Sequence, residues 1–589
     1  MLQAPTIFQS FNARALIPSQ VAKTFVPSEH YQKLANHNHS IIAGPRGSGK
    51  TTLLKMLQQP ALEAWHDSVG AVYRARINFT GVFVATDLSW RAQVEALGEG
   101  KLDADSHRLL CVAAFTTHVL RSFVTAMLDR TGQNNEKDAV PFRRVQLSDN
   151  LEAQLVRSVC DAWHVKPLIP SLLALKQAMT LRLSRIREVA SQEVILGDTG
   201  RKERLGALTY IHLHFLQAAA YAVECFDDLV GEPGSKWALL CDELELAPEW
   251  IQDELVKSLR STDDRFLFKL AMSPFTPSGE LLETALAPQS GQDMEVIPLW
   301  YAEKRDGYPF CEALWTGLLK SRGLESKKAK EILGPSLFET PPGQWAGHKT
   351  AYHSGSPLQR RFIDLAKKDR SFRRYLADKD IDLARLQELP SDQRAADLRK
   401  IAPLIVVREF YRAEDSEKAT VAREERSRKT SVLYSGAESL FAVSEGNPRW
   451  FIAIAGNILD RWQDYNKQIK RKTQGDEIWK AAQRFSALLR TIPALPMGPR
   501  RRGLLSLLNA AGDFFHAEVV KGEFKPEPYA TFVPDSHSSN LILDTLQLAL
   551  NSGAIVYVPD DTSQLILTSL RGKRFRISYL LAPLYLNPA

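Results

Sequence analysis

Residues Gly44-Pro45-Arg46-Gly47-Ser48-Gly49-Lys50-Thr51 satisfy the spacing G-x-x-x-x-G-K-[ST] at every fixed position. Glycines at such positions let successive backbone N–H groups turn inward around phosphate oxygens, with no Cβ in the way. In that arrangement Lys50 neutralises the β- and γ-phosphates, and the Thr51 hydroxyl ligates Mg²⁺. Residues 44–51, with Thr52 following, are therefore a candidate grip for ATP and Mg²⁺.

A phosphate grip alone does not separate transfer from hydrolysis. The second acidic element is Trp237–Glu243, "WALLCDE", an apolar run ending in two carboxylates. Asp242 at the strand end suits the Mg²⁺ shell, and Glu243 beside it suits a base that orients attacking water. Water is a poor nucleophile without such a base, so the pair favours ATP hydrolysis over phosphoryl transfer to a metabolite. The residues before this strand, "CFDDLVGEPGSK", hold nothing like the LSGGQ signature of transporter-type ATPases.

Two further side chains belong to the candidate set. Ser273 closes the apolar run "RFLFKLAMS" and, in a parallel sheet, lies beside the acidic strand within reach of a γ-phosphate or its water. Arg449 sits in "GNPR", Gly446-Asn447-Pro448-Arg449, at the start of an apolar helix. A cation in the first turn opposes the helix dipole. It is either a γ-phosphate contact carried on a lid or a surface arginine behind a helix-starting proline.

Strands and helices must carry these groups. "HSIIAG" reads as a buried strand feeding the glycine loop, and "TTLLKMLQQPAL" as the helix whose N-terminus favours anions. "RFLFKLAMS" and "EVIPLW" supply further strands, so an α/β fold with a parallel sheet and flanking helices is expected.

These pieces, in this order, resemble the ORC1/Cdc6-like AAA+ ATPases and their bacterial relatives. The resemblance rests on "GPRGSGKTT", "LLCDE", "LAMS" and "GNPR". It implies a helical lid and a C-terminal winged helix that contacts DNA. It also implies that Val26–Leu34 is an N-terminal linker, with Phe25 and Val26 lining the adenine pocket. The chain departs from the family pattern in three ways. About 190 residues separate the grip from the acidic strand, Pro274–Met294 holds no arginine or lysine where an arginine finger is expected, and a large polar segment precedes "GNPR". Arg260, Arg265 and Arg305 flank the finger-less stretch.

Within this frame the chain divides into an ATPase core over 1–300, a lid over 301–475 and a winged-helix-like domain over 476–589. Two inserts are expected. Residues of about 132–205 carry the stripe Leu172, Leu175, Met179, Leu183, Ile186 and Ala190 at helical spacing. That helix either projects toward a partner or packs on the core. Residues of about 324–435 are densely charged. There Arg360, Arg361, Lys367, Lys368, Arg370, Arg373 and Arg374 lie near Phe362, Phe372 and Tyr375, as a nucleic-acid grip or a solvated helical face. At the C-terminus, residues 564–586 read as strand, turn at Arg571-Gly572, and strand. Lys573, Arg574 and Arg576 on that wing, with Arg500, Arg501 and Arg502 before it, are the candidate nucleic-acid contacts.

Composition sets the outer limits. The 589 residues are 44% hydrophobic and 24% charged, enough for two to four ordinary domains. No apolar run is expected to span a bilayer, and the N-terminus lacks the basic and apolar regions of a signal peptide. Cys111, Cys160, Cys225, Cys241 and Cys311 are widely spaced, which fits free thiols in a reducing cytoplasm. The net charge of +7 is mildly favourable to nucleic acid. The expected activity is an ATP-driven switch acting on DNA or a DNA-bound partner, alone or in a homo- or hetero-oligomer with a protein effector. By resemblance alone, a role in bacterial anti-phage defence follows. The rival is a signalling or scaffold NTPase that senses a protein partner without touching DNA; a small-molecule kinase fits poorly with the paired carboxylates.

Overall fold

The computed structural model describes residues 15–86, 96–98, 100–132, 139–260, 263–276, 288–289, 291–338, 355–386, 388, 397–398, 400–412, 430–492, 503–560 and 566–585. The candidate contacts Arg500, Arg501 and Arg502 lie outside them, as does much of the Pro274–Met294 stretch. The chain forms two compact units. One combines Gln9–Gly44 with Lys50–Leu299, and the other combines Pro45–Gly49 with Trp300–Ala589.

The first unit is built on a parallel sheet of β1 (His39–Ala43), β2 (Phe79–Ala85), β3 (Lys236–Asp242), β4 (Phe266–Met272) and β5 (Met294–Pro298), in the order β2-β3-β4-β1-β5. β4 is buried along its whole length and β3 nearly so, as expected of parallel strands covered by helices on both faces. The register matters for function. Ala43 lies level with Met272 and Pro298, and Ala85 lies level with Asp242. The carboxyl ends of the strands thus finish together, and that edge is where open parallel sheets bind ligands. As expected, β4 runs directly beside the acidic strand, and Ser273 follows its last residue.

The helices that bracket the sheet follow from their caps and stripes. α1 (Glu29–Leu34) starts on Ser28, whose hydroxyl accepts from the Tyr31 N–H. α2 (Lys50–Lys55) leaves the glycine loop. α3 (Ala104–Arg130) is capped by Asp103, which accepts from the Ser106 N–H at 2.9 Å. By length and composition α3 is apolar enough to cross a membrane, contrary to the expectation of no such segment. Its apolar side chains, among them Phe115, Leu120, Phe123 and Met127, are buried in the protein interior, which accounts for its composition.

α4 (Asp149–Trp163), α5 (Leu172–Leu196) and α6 (Phe215–Val230) also belong to this unit. On α5, Leu172, Leu175, Met179, Ile186 and Ala190 are all buried, and the lower part of the stripe joins Leu110, Cys111 and Ala114 of α3 in one apolar cluster. The stripe therefore serves packing and not a free arm. The opposite side of α5 leaves Leu173 and Leu181 half exposed.

In the second unit, α7 (Pro357–Lys368), α8 (Arg370–Asp378) and α9 (Ala402–Tyr411) share an apolar cluster that includes Phe362, Phe372 and Phe524. Asp369, at the junction of α7 and α8, is fully buried. It accepts from the Ser371 N–H at 2.9 Å, from Arg412 at 2.7 Å and from Arg408. Phe362 and Phe372 are consumed by this core, so they are not available to stack on bases, while Arg360, Lys367, Arg370, Arg373 and Arg374 are exposed. α10 (Ala437–Ser444), α11 (Pro448–Leu459) and α12 (Arg471–Arg490) pack together beyond the charged segment.

α13 (Leu504–His516) and α14 (Asn540–Ser552) precede a small antiparallel pair, β6 (Ile555–Tyr557) and β7 (Phe575–Ile577), with Tyr557 opposite Phe575. This corrects the expected strand–turn–strand over 564–586. The Arg571-Gly572 turn exists, with the Lys573 N–H donating to Leu570 O at 3.3 Å. The partner of β7 is nevertheless Ile555–Tyr557, and among the described residues Ser569–Leu570 form no strand.

Candidate nucleotide site

The glycine loop begins where β1 ends. The Gly44 N–H donates to Met272 O at 3.1 Å, which ties the first loop residue to β4. Gly47 and Gly49 have φ of +89° and +97°, a region that side-chain-bearing residues rarely adopt. A buried hydroxyl, Ser48 Oγ, has no hydrogen-bond partner among the described residues. Glycines at positive φ and an orphan hydroxyl fit a loop shaped for phosphate oxygens.

Lys50 opens α2 with its side chain buried. Its Nζ donates to Gly44 O at 2.6 Å, spanning the base of the loop. Thr51 Oγ1 donates to Asp242 Oδ2 at 2.7 Å, bringing the two expected Mg²⁺ ligands into contact although 191 residues separate them. Two hard oxygen donors side by side suit Mg²⁺, which takes few protein ligands alongside phosphates and water. Asp242 is buried at the end of β3.

Glu243 follows in the left-handed region, at φ +58° and ψ +40°, and is also buried. Such a conformation costs a non-glycine residue roughly 1–2 kcal/mol and persists where the surroundings enforce it, which is common at functional sites. It turns the chain into the short helical turn Leu244–Leu246. That turn carries a side chain the motif reading missed. Glu245 Oε1 lies 3.6 Å from Lys50 Nζ and accepts from Ser273 Oγ at 2.9 Å. Ser273 is thus at the acidic edge as expected, and it meets the grip lysine through Glu245. Thr86, which follows β2, was missed as well. Its hydroxyl donates to Asp242 O at 2.8 Å and so fastens the neighbouring strand end to the acidic residue. The signal for both was position alone, two residues past the carboxylate pair and one past a strand.

The linker residues fall into an aromatic cluster. Phe25 packs edge-on against Tyr31 and Trp65 at centroid separations of 4.8 and 5.2 Å, and the Tyr31 hydroxyl donates to Met56 O at 2.9 Å. Val26 is partly buried next to it. Phe25 is committed to this cluster on at least one side of its ring.

In the second unit, the Asn447 side chain caps α11, accepting from the N–H groups of Arg449 and Trp450. Asn447 Nδ2 donates to Arg46 O at 3.3 Å, and Arg449 Cδ would lie 3.2 Å from a Cβ on Gly47. The Arg46 N–H donates to Asn551 O at 3.0 Å, at the C-terminal end of α14. Arg449 therefore packs against Gly47. Gly446, at φ +62°, has no room for a side chain, because a Cβ would stand 2.4 Å from Tyr301 Cε2.

Among the candidate nucleic-acid contacts, Arg576 is corrected. It is buried, and its guanidinium makes two 2.8 Å contacts with the Glu445 carboxylate and one of 3.2 Å with Tyr301 O. On β7 both Phe575 and Arg576 are buried, so this arginine lies inside the protein. Arg574 is exposed and pairs with Asp560 at 3.0 Å, and Lys573 is partly exposed near the turn. Arg265 pairs with Glu224 and Asp263, both at 2.8 Å, and is occupied within the chain.

Comparison with curated proteins and with solved structures returns no match. A family model described as ORC-CDC6-like matches residues 6–588. With a match over nearly the whole chain and a five-stranded parallel sheet presenting this loop and acidic strand, the protein belongs to the ORC-CDC6-like family of AAA+ ATPases.

Proposed function

We propose that the protein binds and hydrolyses ATP in the cytoplasm and uses that cycle to switch its hold on DNA or a DNA-bound partner. The observation that carries the reading is the 2.7 Å contact between Thr51 and Asp242, which unites the two Mg²⁺ ligands beside Lys50 and the strained Glu243. Lys50 neutralises phosphate charge, Thr51 and Asp242 hold Mg²⁺, and Glu243 takes the proton of the attacking water. Mg²⁺ itself supplies charge neutralisation on the phosphates when bound. Arg449 against Gly47 supports a lid that senses the loop's occupant.

A winged-helix-like arrangement of two helices and an antiparallel pair supports the DNA arm, with Lys573 and Arg574 as contacts. A nucleotide drives such a switch only through differential affinity for its two states. The second reading, a sensor of protein partners, is favoured by the loss of Arg576 to an internal pair. Titrating the protein with duplex DNA at two salt concentrations, with and without ATP, separates them. Binding that weakens steeply with salt and changes with ATP supports the DNA switch. No binding at low salt refutes it and leaves the protein-sensing reading.

A further inference from the structure

We propose that Glu245 is a positioning residue of the phosphate grip, a built-in carboxylate that competes with nucleotide phosphates for Lys50 and holds the Ser273 hydroxyl in reserve. The inference rests on the ATP-binding reading above and adds a residue that the motif does not include.

Three observations support it. Glu245 Oε1 faces the Lys50 ammonium at 3.6 Å and is the acceptor for Ser273 Oγ at 2.9 Å, so a single oxygen joins two groups expected to meet phosphate. Glu245 Oε2 is buried with no hydrogen-bond partner among the described residues, a costly state for a carboxylate oxygen unless another demand fixes its place. The demand is visible in the backbone: the left-handed Glu243 turns the chain so that Glu245 comes back toward the grip.

The consequence is electrostatic. The Glu245 carboxylate acts as counter-ion to a buried lysine, and the β- and γ-phosphates bring negative charge to the same ammonium. Phosphates and Glu245 repel each other, so nucleotide binding must weaken the Lys50–Glu245 contact and release Ser273. Glu245 thereby lowers affinity for phosphate-bearing ligands, and it lowers it more as phosphate charge increases. A purely structural carboxylate would have no such dependence on charge.

The test compares wild type, Glu245→Gln and Glu245→Ala, all full length, by titration of a fluorescent ATP analogue with ATP, ADP and adenosine as competitors. Thermal melting reports whether each variant is folded. Neutralising Glu245 removes the carboxylate that lies 3.6 Å from the Lys50 ammonium and competes for it, so it should tighten ATP about tenfold. ADP should gain less and adenosine should be unmoved. Unchanged or weaker ATP binding by the folded variants overturns the proposal, as does an equal change for ATP and adenosine. If the wild type binds no ATP, the nucleotide reading itself fails, a result distinct from wild-type binding that Glu245 does not influence.

Discussion

Arg576→Ala asks whether this arginine holds the C-terminal unit together or serves a nucleic-acid surface. Its guanidinium is 7% exposed and the Glu445 side chain 15% exposed. Desolvation opposes the charge on Arg576, and the adjacent Glu445 carboxylate more than offsets it, so its pKa is raised. The guanidinium also lies 4.2 Å from the Tyr579 ring centroid, a cation–π contact worth about 1 kcal/mol. Removing one partner of a buried pair typically costs ~3–5 kcal/mol, because the other charge is left stranded. Glu445 keeps the Tyr579 N–H as a donor, which places the expected loss near the lower end, about 3 kcal/mol. Adding Glu445→Gln should recover part of it, with a coupling of about 1–3 kcal/mol in the double-mutant cycle. Urea denaturation followed by tryptophan fluorescence reads both. A loss below ~0.5 kcal/mol would refute the buried-pair argument, and a simultaneous fall in DNA affinity would return Arg576 to the surface.

Three other perturbations bear on the fold. Burial pushes the Asp227 carboxyl up to about 7, although the Trp237 indole N–H donates to it at 3.1 Å. Its raised folded pKa gives stability that is fully present below about pH 4 and lost as pH rises through 7, by up to ~4 kcal/mol. Asp227→Asn should remove that slope and exceed wild type in stability at pH 8; a pH profile parallel to wild type would contradict this. Gly446→Ala should cost about 2–3 kcal/mol through its positive φ and the collision with Tyr301, and a neutral urea midpoint would show that the turn relaxes. Met179→Ala should cost about 2–5 kcal/mol while Leu173→Ser changes stability by under ~0.5 kcal/mol; equal effects would undo the assignment of one buried face to α5.

The core of the site was legible because its chemistry is local. Gly44 to Thr51 encode a loop by spacing alone, and "WALLCDE" announces a buried strand with carboxylates at its end. The pairing of the acidic strand with the strand before Ser273 followed from the same pattern, and the Ser273 hydroxyl meets Glu245. Glu245 and Thr86 were invisible because their roles arise from a left-handed turn and a strand register, which no spacing rule records. The apolar run near Leu567 resembled a strand, yet strands as short as β6 and β7 are chosen by tertiary partners and not by propensity. Arg576 misled for a related reason: Arg574 and Arg576 are two apart, the same face by strand alternation, and nothing in the string says that Glu445 waits for the second of them.

The most direct test of the account is steady-state ATP hydrolysis by the purified full-length protein, wild type against Lys50→Ala and Glu243→Gln, with ATP binding measured alongside. The account predicts Mg²⁺-dependent turnover by wild type. It predicts loss of both binding and turnover in Lys50→Ala, and turnover reduced about 10²–10⁴-fold with ATP binding retained in Glu243→Gln. Wild-type rates in either variant would contradict the assignment of Lys50, Thr51, Asp242 and Glu243 as the hydrolytic centre.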